Sequence, residues 1–253
     1  MRHTLHVING SHPCTAVLRG FELKGIDVRL VEYMPPTHPL ILKARFGVSR
    51  VPLLVLEGGE VVPGSRRIMQ RLDALQPEPP LYPRERIAAV EEADRWGDEV
   101  LQGVSRRLLW WAVKHTPRAL ASFQAGSRLP TLPAPIVRLA APLVVAGEGR
   151  LNGITAEIVR DDAATLPALL AKLDEFSADG AFGTATPTAA DLQIGASLQL
   201  LRAIEDLRPI VDANPLAREI ARWLPPSPGS VPKGSLPADL VELASAAAPA
   251  PAT

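Results

Sequence analysis

The sequence has a single cysteine in 253 residues. One thiol cannot build an intrachain disulfide framework or a zinc site made of several cysteines. Aromatic residues are only 4% of the chain, which argues against a base-stacking platform for nucleic acid. An excess of one charge is missing too. Lys+Arg and Asp+Glu each number 27, so the formal net charge is zero, and a chain-wide basic surface for nucleic acid or anionic membrane is not supported. Long apolar runs are absent. The most apolar one, residues 139–147, contains Pro142 and is far shorter than the ~18–20 residues that cross a bilayer. The opening MRHTLHVING turns polar at Asn9, too early for a signal-peptide core. These absences predict a cytoplasmic protein with no membrane or nucleic-acid partner. His12 and His38 are scattered, so no metal is expected either.

Proline, by contrast, is abundant at 26 residues, about twice the average usage of ~5%. Four of these fall in residues 76–83 and divide the chain. Before that joint, short apolar segments alternate with helical ones. Residues 4–9 read as a strand, and Ser11-His12-Pro13 caps a helix that runs to Lys24 and stops at Gly25. Gly20 inside this helix costs ~1 kcal/mol against Ala, which predicts close packing on a sheet. Residues 27–33 and 51–57 read as further strands, with a short helix at 40–46. Gly58-Gly59 then signals a hairpin into residues 60–62. Ile68, Leu72 and Leu75 give residues 64–75 one apolar helical face. The order β-α-β-(α)-β-β-α predicts a small, partly parallel sheet with right-handed crossovers.

After Pro83 the strand signals end. Residues 84–114 form one long helical pattern with Ile87, Val90, Leu101, Val104, Leu108 and Trp111 at helical spacing. Residues 116–142 are interrupted by proline and give no clear element. Short helices are expected at 155–160 and 166–176. Thr188-Ala-Ala-Asp191 has the form of a capping box and opens a helix over 188–205, and a further helix spans 215–224. Residues 225–253, rich in Pro, Ala and Ser, are expected to be mobile or draped on the surface. The expected division is an α/β domain over residues 1–77, an all-helical domain over 84–224 and a Pro/Ala-rich tail over 225–253.

With four local motifs, this order resembles the cytosolic glutathione S-transferase superfamily. Ser11-His12-Pro13-Cys14 lies at the strand-to-helix turn, ten residues before Lys24-Gly25-Ile26. There Ser11 matches the catalytic serine of serine-type members, and the nucleophilic cysteine of omega-type members and glutaredoxins. Cys14 falls at the resolving-cysteine position of glutaredoxins. Ser49-Arg50-Val51-Pro52 is similar to the family's Gly-Lys-Val-Pro, whose proline peptide is cis and whose preceding residue pairs with the cysteinyl part of glutathione. Gly64-Ser65-Arg66 stands where the family usually has Glu-Ser or Gln-Ser, the serine holding the γ-glutamyl carboxylate at a helix N-terminus. Thr188–Asp191 is similar to the family's C-domain capping box.

The resemblance implies a thioredoxin-like α/β domain followed by an all-α domain. It implies glutathione as co-substrate, a small electrophile as second substrate, a detoxification role and a homodimer. Ser11 and Cys14 are then the candidate catalytic residues. His12, Arg50, Val51, Pro52, Gly64, Ser65 and Arg66 are candidates for binding. Trp96, Trp110 or Trp111 could wall the electrophile's site. Three readings stay open: a transferase using Ser11 as a donor to the thiol, a non-catalytic binding or assembly module, and a glutathione-dependent oxidoreductase using Cys14.

Overall fold

The computed structural model describes residues 3–35 and 37–246. Met1, Arg2, Pro36 and the last seven residues of the expected tail lie outside the described residues.

Leu5 and Val7 alternate with His6 along β1 (Thr4–Val7). The two apolar side chains join a core cluster with Val17, Leu54, Ile68 and Leu72, as the two-residue period of a strand dictates. His6 instead meets the Tyr33 hydroxyl at 2.8 Å and the edge of Phe46 at 4.9 Å. β1 pairs in parallel with β2 (Arg29–Glu32) and antiparallel with β3 (Leu53–Val55). β3 pairs antiparallel with β4 (Val61–Pro63), giving the order β2-β1-β3-β4. Only one pair is therefore parallel. It is joined by α1 (His12–Lys24); α2 (His38–Phe46) links β2 to β3, and α3 (Ser65–Leu75) follows β4. α1 packs against α3 and also against α8 (Ala189–Arg202) of the helical half. A Cβ on Gly20 would meet Leu72 at 3.3 Å and Leu192 at 3.9 Å. The close approach expected there is thus to helices α3 and α8, not to the sheet.

The Pro-rich joint is pinned from α1. The side chain of Lys24 is fully buried, and its ammonium donates to Asp73 and to the carbonyls of Pro77 and Pro79. Asp73 also accepts from the backbone N–H of Leu81 at 2.7 Å.

The long helical pattern after the joint is α4 (Ile87–Trp96), a π-turn (Gly97–Leu101) and α5 (Gln102–His115). Val90, Leu101, Val104 and Leu108 are buried as expected, while Ile87 is exposed. Then come a 3₁₀ turn (Pro117–Gln124), α6 (Ala134–Leu151) and α7 (Ala156–Ala178). Two expectations are corrected in this stretch. Pro142 lies inside α6, and Pro167 lies inside α7, which is one helix and not two. Arg138 and Pro142 are both exposed, so the carbonyl left without an amide partner in α6 can reach water.

α8 is buried on every side from Ala189 to Leu201 and centres the second core. α9 (Arg208–Ala213) is an element the sequence did not show, and α10 (Pro215–Ala221) follows it. The tail packs more firmly than expected. Val231 forms a parallel bridge to Ile204, and α11 (Ala238–Ser245) packs on α7 with Leu240 and Ala244 buried. A four-stranded mixed sheet with its helices, followed by a helical part, is the thioredoxin-like plus all-α arrangement. Among the described residues no helix is long and apolar enough to cross a membrane.

Candidate functional site

Two cavities adjoin at the N-terminal end of α1. The first, about 390 Å³, is largely apolar and includes Ser11, His12, His38, Trp110, Phe123 and Leu143 in its lining. The second, about 470 Å³, is more polar and includes Pro52, Gly64, Ser65, Asp98 and Gln102. Six residues border both: Pro13, Arg50, Val51, Arg106, Leu151 and Asn152.

Local structure explains how each candidate reaches this place. Ser11 sits in extended conformation before α1, with Pro13 in the first turn, and its side chain makes no capping bond to the helix. The hydroxyl opposes, in part, the rise that burial imposes on the Cys14 thiol. The Val51–Pro52 peptide is cis, as the resemblance implies. The Pro52 carbonyl accepts from the Gly64 amide at 3.0 Å, which ties the start of β3 to the start of α3. Gly64 has φ of 85°, a left-handed conformation that favours glycine over the usual glutamate or glutamine. Ser65 opens α3 and is buried, and its Oγ lies 3.4 Å from Asp98 Oδ1.

The predicted residues divide as follows. Ser11 and His12 line the apolar cavity. Pro52, Gly64 and Ser65 line the polar one, and Arg50 and Val51 line both. Cys14 lines neither. It is 1% exposed within the sheet core, and burial pushes its thiol up to about 11. A nucleophilic cysteine needs the opposite environment, partly exposed and electropositive, so the reactive role considered for Cys14 does not fit its surroundings.

Arg66 also lines neither cavity. Its Nε lies 3.5 Å from the fully buried Asp94, which accepts from the Tyr82 hydroxyl at 2.7 Å. Burial raises the Asp94 carboxyl from 3.8 to about 7. A carboxyl raised on folding adds stability below its unfolded value, and that contribution is lost as pH rises through the folded value. Wild-type stability should therefore fall relative to Asp94→Asn between about pH 4 and pH 7, by up to about 4 kcal/mol. Urea midpoints of the two proteins across that range check this; parallel curves would contradict it.

Of the three candidate tryptophans Trp96, Trp110 and Trp111, it is Trp110 that lines the apolar cavity. Trp96 packs edge-on against Phe176 at 5.3 Å, and Trp111 lies against His115 with the Lys114 ammonium over its ring at 4.1 Å.

Three further groups at the site escaped the sequence. Asp98, on the π-turn, accepts from Gln102 Nε2 at 3.1 Å and Gln193 Nε2 at 3.2 Å as well as facing Ser65. Gly97 allows this, because a Cβ there would meet Ile194 at 3.0 Å and Gln193 at 3.1 Å. Burial raises the Asp98 carboxyl, and the bonds from Ser65 and Gln102 oppose that. Arg106 borders both cavities and donates to Gln102 Oε1 at 2.7 Å; burial lowers it to about 10. Glu148 of α6 lies in the apolar cavity's wall and accepts from Asn152 at 3.0 Å; burial raises its carboxyl, and Arg106 and Arg50 pull it back. One signal was available. Asp94 occupies an inward position of the apolar stripe between Val90 and Leu101, where a carboxylate is out of place, and Asp98 lies one turn further on.

The arrangement offers a polar recess with carboxylate, hydroxyl and amide groups, joined through two arginines to an apolar chamber. Such a pair can hold a polar ligand and an apolar one with their reacting atoms at the junction.

Residues 5–80 match the sequence profile of the glutathione S-transferase N-terminal domain. No curated protein matches the chain in sequence. Among solved structures, the chain aligns with a glutathione S-transferase from Sinorhizobium meliloti 1021 at TM-score 0.60 and 16% identity, over 96% of this chain and 99% of that one. A glutathione S-transferase from Rhodospirillum rubrum F11 aligns at TM-score 0.58 and 18% identity, over 94% and 99%. Maleylacetoacetate isomerase from Anaeromyxobacter dehalogenans 2CP-1, with glutathione bound in its active site, aligns at 0.53 and 19%, over 88% and 89%. At these identities the likeness is one of fold.

Proposed function

We propose, for a chain that carries a glutathione S-transferase N-terminal domain over residues 5–80 within the glutathione S-transferase fold, that it binds glutathione in the polar cavity and activates its thiol toward an electrophile in the apolar one. The observation that carries this reading is the adjoining pair of cavities, which meet at Pro13, Val51 and Arg106 beside the mouth of α1.

In this reading the γ-glutamyl carboxylate lies against Ser65 and the N-terminus of α3, where free amides and the helix dipole favour an anion. The γ-glutamyl ammonium pairs with Asp98. The carboxylate usually supplied by the residue before the serine thus comes from the π-turn. The cysteinyl part lies along Val51, and the sulfur reaches the junction. A free thiol has a pKa near ~8.5 and is mostly protonated at neutral pH. The mouth of α1 and the Arg106 cation both favour the thiolate. The Ser11 hydroxyl, which makes no capping bond to α1, donates to the bound sulfur. Cys14 stays in the core and does not react.

Calorimetry and ultraviolet thiolate absorbance test this together. Glutathione is expected to bind with a Kd below about 1 mM, an affinity of at least ~4 kcal/mol, and the bound thiol should titrate below its free value. Ser11→Ala should raise the bound thiol's pKa by about one, roughly tenfold less thiolate at neutral pH. Absence of any binding at millimolar glutathione would end the proposal. Binding without a shifted thiol or turnover would favour a sequestering or assembly module.

A further inference from the structure

α6 is apolar on two opposite sides, and a helix that is apolar all round belongs inside a protein or in lipid. One side is accounted for. Val137, Val144 and Glu148 line the apolar cavity, and Ala141 on the same side is fully buried. At about 100° per residue these positions fall within about 60° of one another. The opposite side faces out. Leu139 is 85% exposed, Leu143 71% and Ile136 51%, and Pro135, Pro142 and Ala146 are exposed with them. Those residues share an arc of about 120°. Single apolar residues scattered on a surface are ordinary, whereas a continuous stripe marks a contact.

The charges along this part of the chain are of one sign. Between Lys114 and Ala156 the exposed ionic side chains are Lys114, Arg118, Arg128, Arg138 and Arg150. Glu148, the only acid in that stretch, is buried in the cavity wall. Arg138 flanks the stripe and Arg150 lies at its C-terminal end. Neither has a carboxylate partner among the described residues. The zero net charge of the whole chain conceals this segregation. A second copy of the chain fits the stripe poorly. Two such faces would set arginine against arginine, and a single stripe falls short of the ~20–30 residues a side that a stable interface uses. Nor does α6 cross a bilayer, since Arg138, Glu148 and Arg150 interrupt its 18 residues. An anionic lipid surface does match, because it takes apolar side chains at headgroup depth and cations beside them.

We propose that α6 docks in the plane of an anionic phospholipid surface, with Ile136, Leu139 and Leu143 at the boundary of headgroups and acyl chains and with Arg138 and Arg150 on the headgroups. Ala140 and Leu143 are exposed and also line the apolar cavity. Docking therefore sets that cavity one helix away from the lipid, the phase in which apolar compounds concentrate. The inference goes beyond the transferase reading and stands without it.

Co-sedimentation of the full chain with vesicles tests this. Phosphatidylcholine vesicles containing phosphatidylglycerol should bind it about thirtyfold more tightly than phosphatidylcholine alone, since each of the two arginines adds about fivefold near an anionic surface. Added salt should remove the difference, and so should Arg138→Gln combined with Arg150→Gln. Ile136→Ser combined with Leu139→Ser changes exposed positions outside the cavity lining. It should weaken binding to the mixed vesicles at least about tenfold and leave the mass in solution, read by light scattering, unchanged. No binding to either vesicle, equal binding to both, or full binding by the serine variant would overturn the inference. A lower mass for the serine variant would overturn it too, by making the stripe an interface between copies of the chain.

Discussion

Asp98→Asn is expected to lower affinity for glutathione by at least about thirtyfold, or ~2 kcal/mol, the lower end for truncating one partner of a hydrogen-bonded charge pair. The asparagine keeps the shape and an acceptor for Ser65, Gln102 and Gln193 but has no charge for an ammonium. A glutathione analogue lacking the γ-glutamyl amine supplies the matching deletion on the ligand. Wild-type protein should bind the analogue about thirtyfold more weakly than glutathione, while the variant should bind both alike. If the variant still prefers the amine by the same ratio, Asp98 does not read it. Thermal melts of the variant keep a loss of binding distinct from a loss of fold.

The second large effect concerns the helix that supports this carboxylate from behind. Oδ2 of Asp191 accepts from the backbone N–H of Gly183 at 2.7 Å and of Thr188 at 2.8 Å, and Thr188 Oγ1 in turn accepts from Asp191 N at 3.3 Å. Asp191 is 1% exposed. Asp191→Ala removes the Asp191 half of the capping box and leaves the Gly183 and Thr188 amides without their acceptor. At about 1–3 kcal/mol per unpaired group, the cost of the two is roughly 2–6 kcal/mol. For a chain of this size that is a fall in Tm of about 10 °C. Asp191→Asn, which keeps an acceptor, should recover part of it. A fall in stability under about 1 kcal/mol for the alanine variant would show that water replaces the lost acceptor. Because Gln193 of the same helix donates to Asp98, the alanine variant should also weaken glutathione binding before it unfolds.

What the sequence made legible was local. Ser11 and Pro13 before an apolar helix, Gly58-Gly59 between two apolar runs, Ser65 after Gly64 and the Thr188–Asp191 box each carry their structural meaning within a few neighbours. Those motifs placed the four strands, α1, α3, α8 and half of the candidate site. The other half depends on residues far apart in the chain. Asp98 meets Ser65 only because α3 and the π-turn both pack on α8, and the out-of-place Asp94 one turn earlier says nothing of that partner. α6 was hidden for another reason. Pro142 removes an amide that a helix normally uses, yet the position is exposed and its cost is small. Glu148 and Leu143, which wall the apolar cavity, were lost with it. Cys14 shows the converse error. Its spacing matches a reactive position, but spacing does not report whether water can reach a sulfur.

The π-turn at Gly97–Leu101 has one more bearing on how this chain varies. Each residue of a regular helix advances about 100° around its axis, and a π-turn lodges one extra residue without breaking the rod. Loss of a single codon within it would therefore close the turn to regular helix and leave the segments before and after it in phase. The chain can thus shorten by one residue at this point and nowhere else between Ile87 and His115 without turning one face of the rod away from the other. A homologue with a gap of one here would keep Arg106 and the rest of the rod facing as they do in this chain.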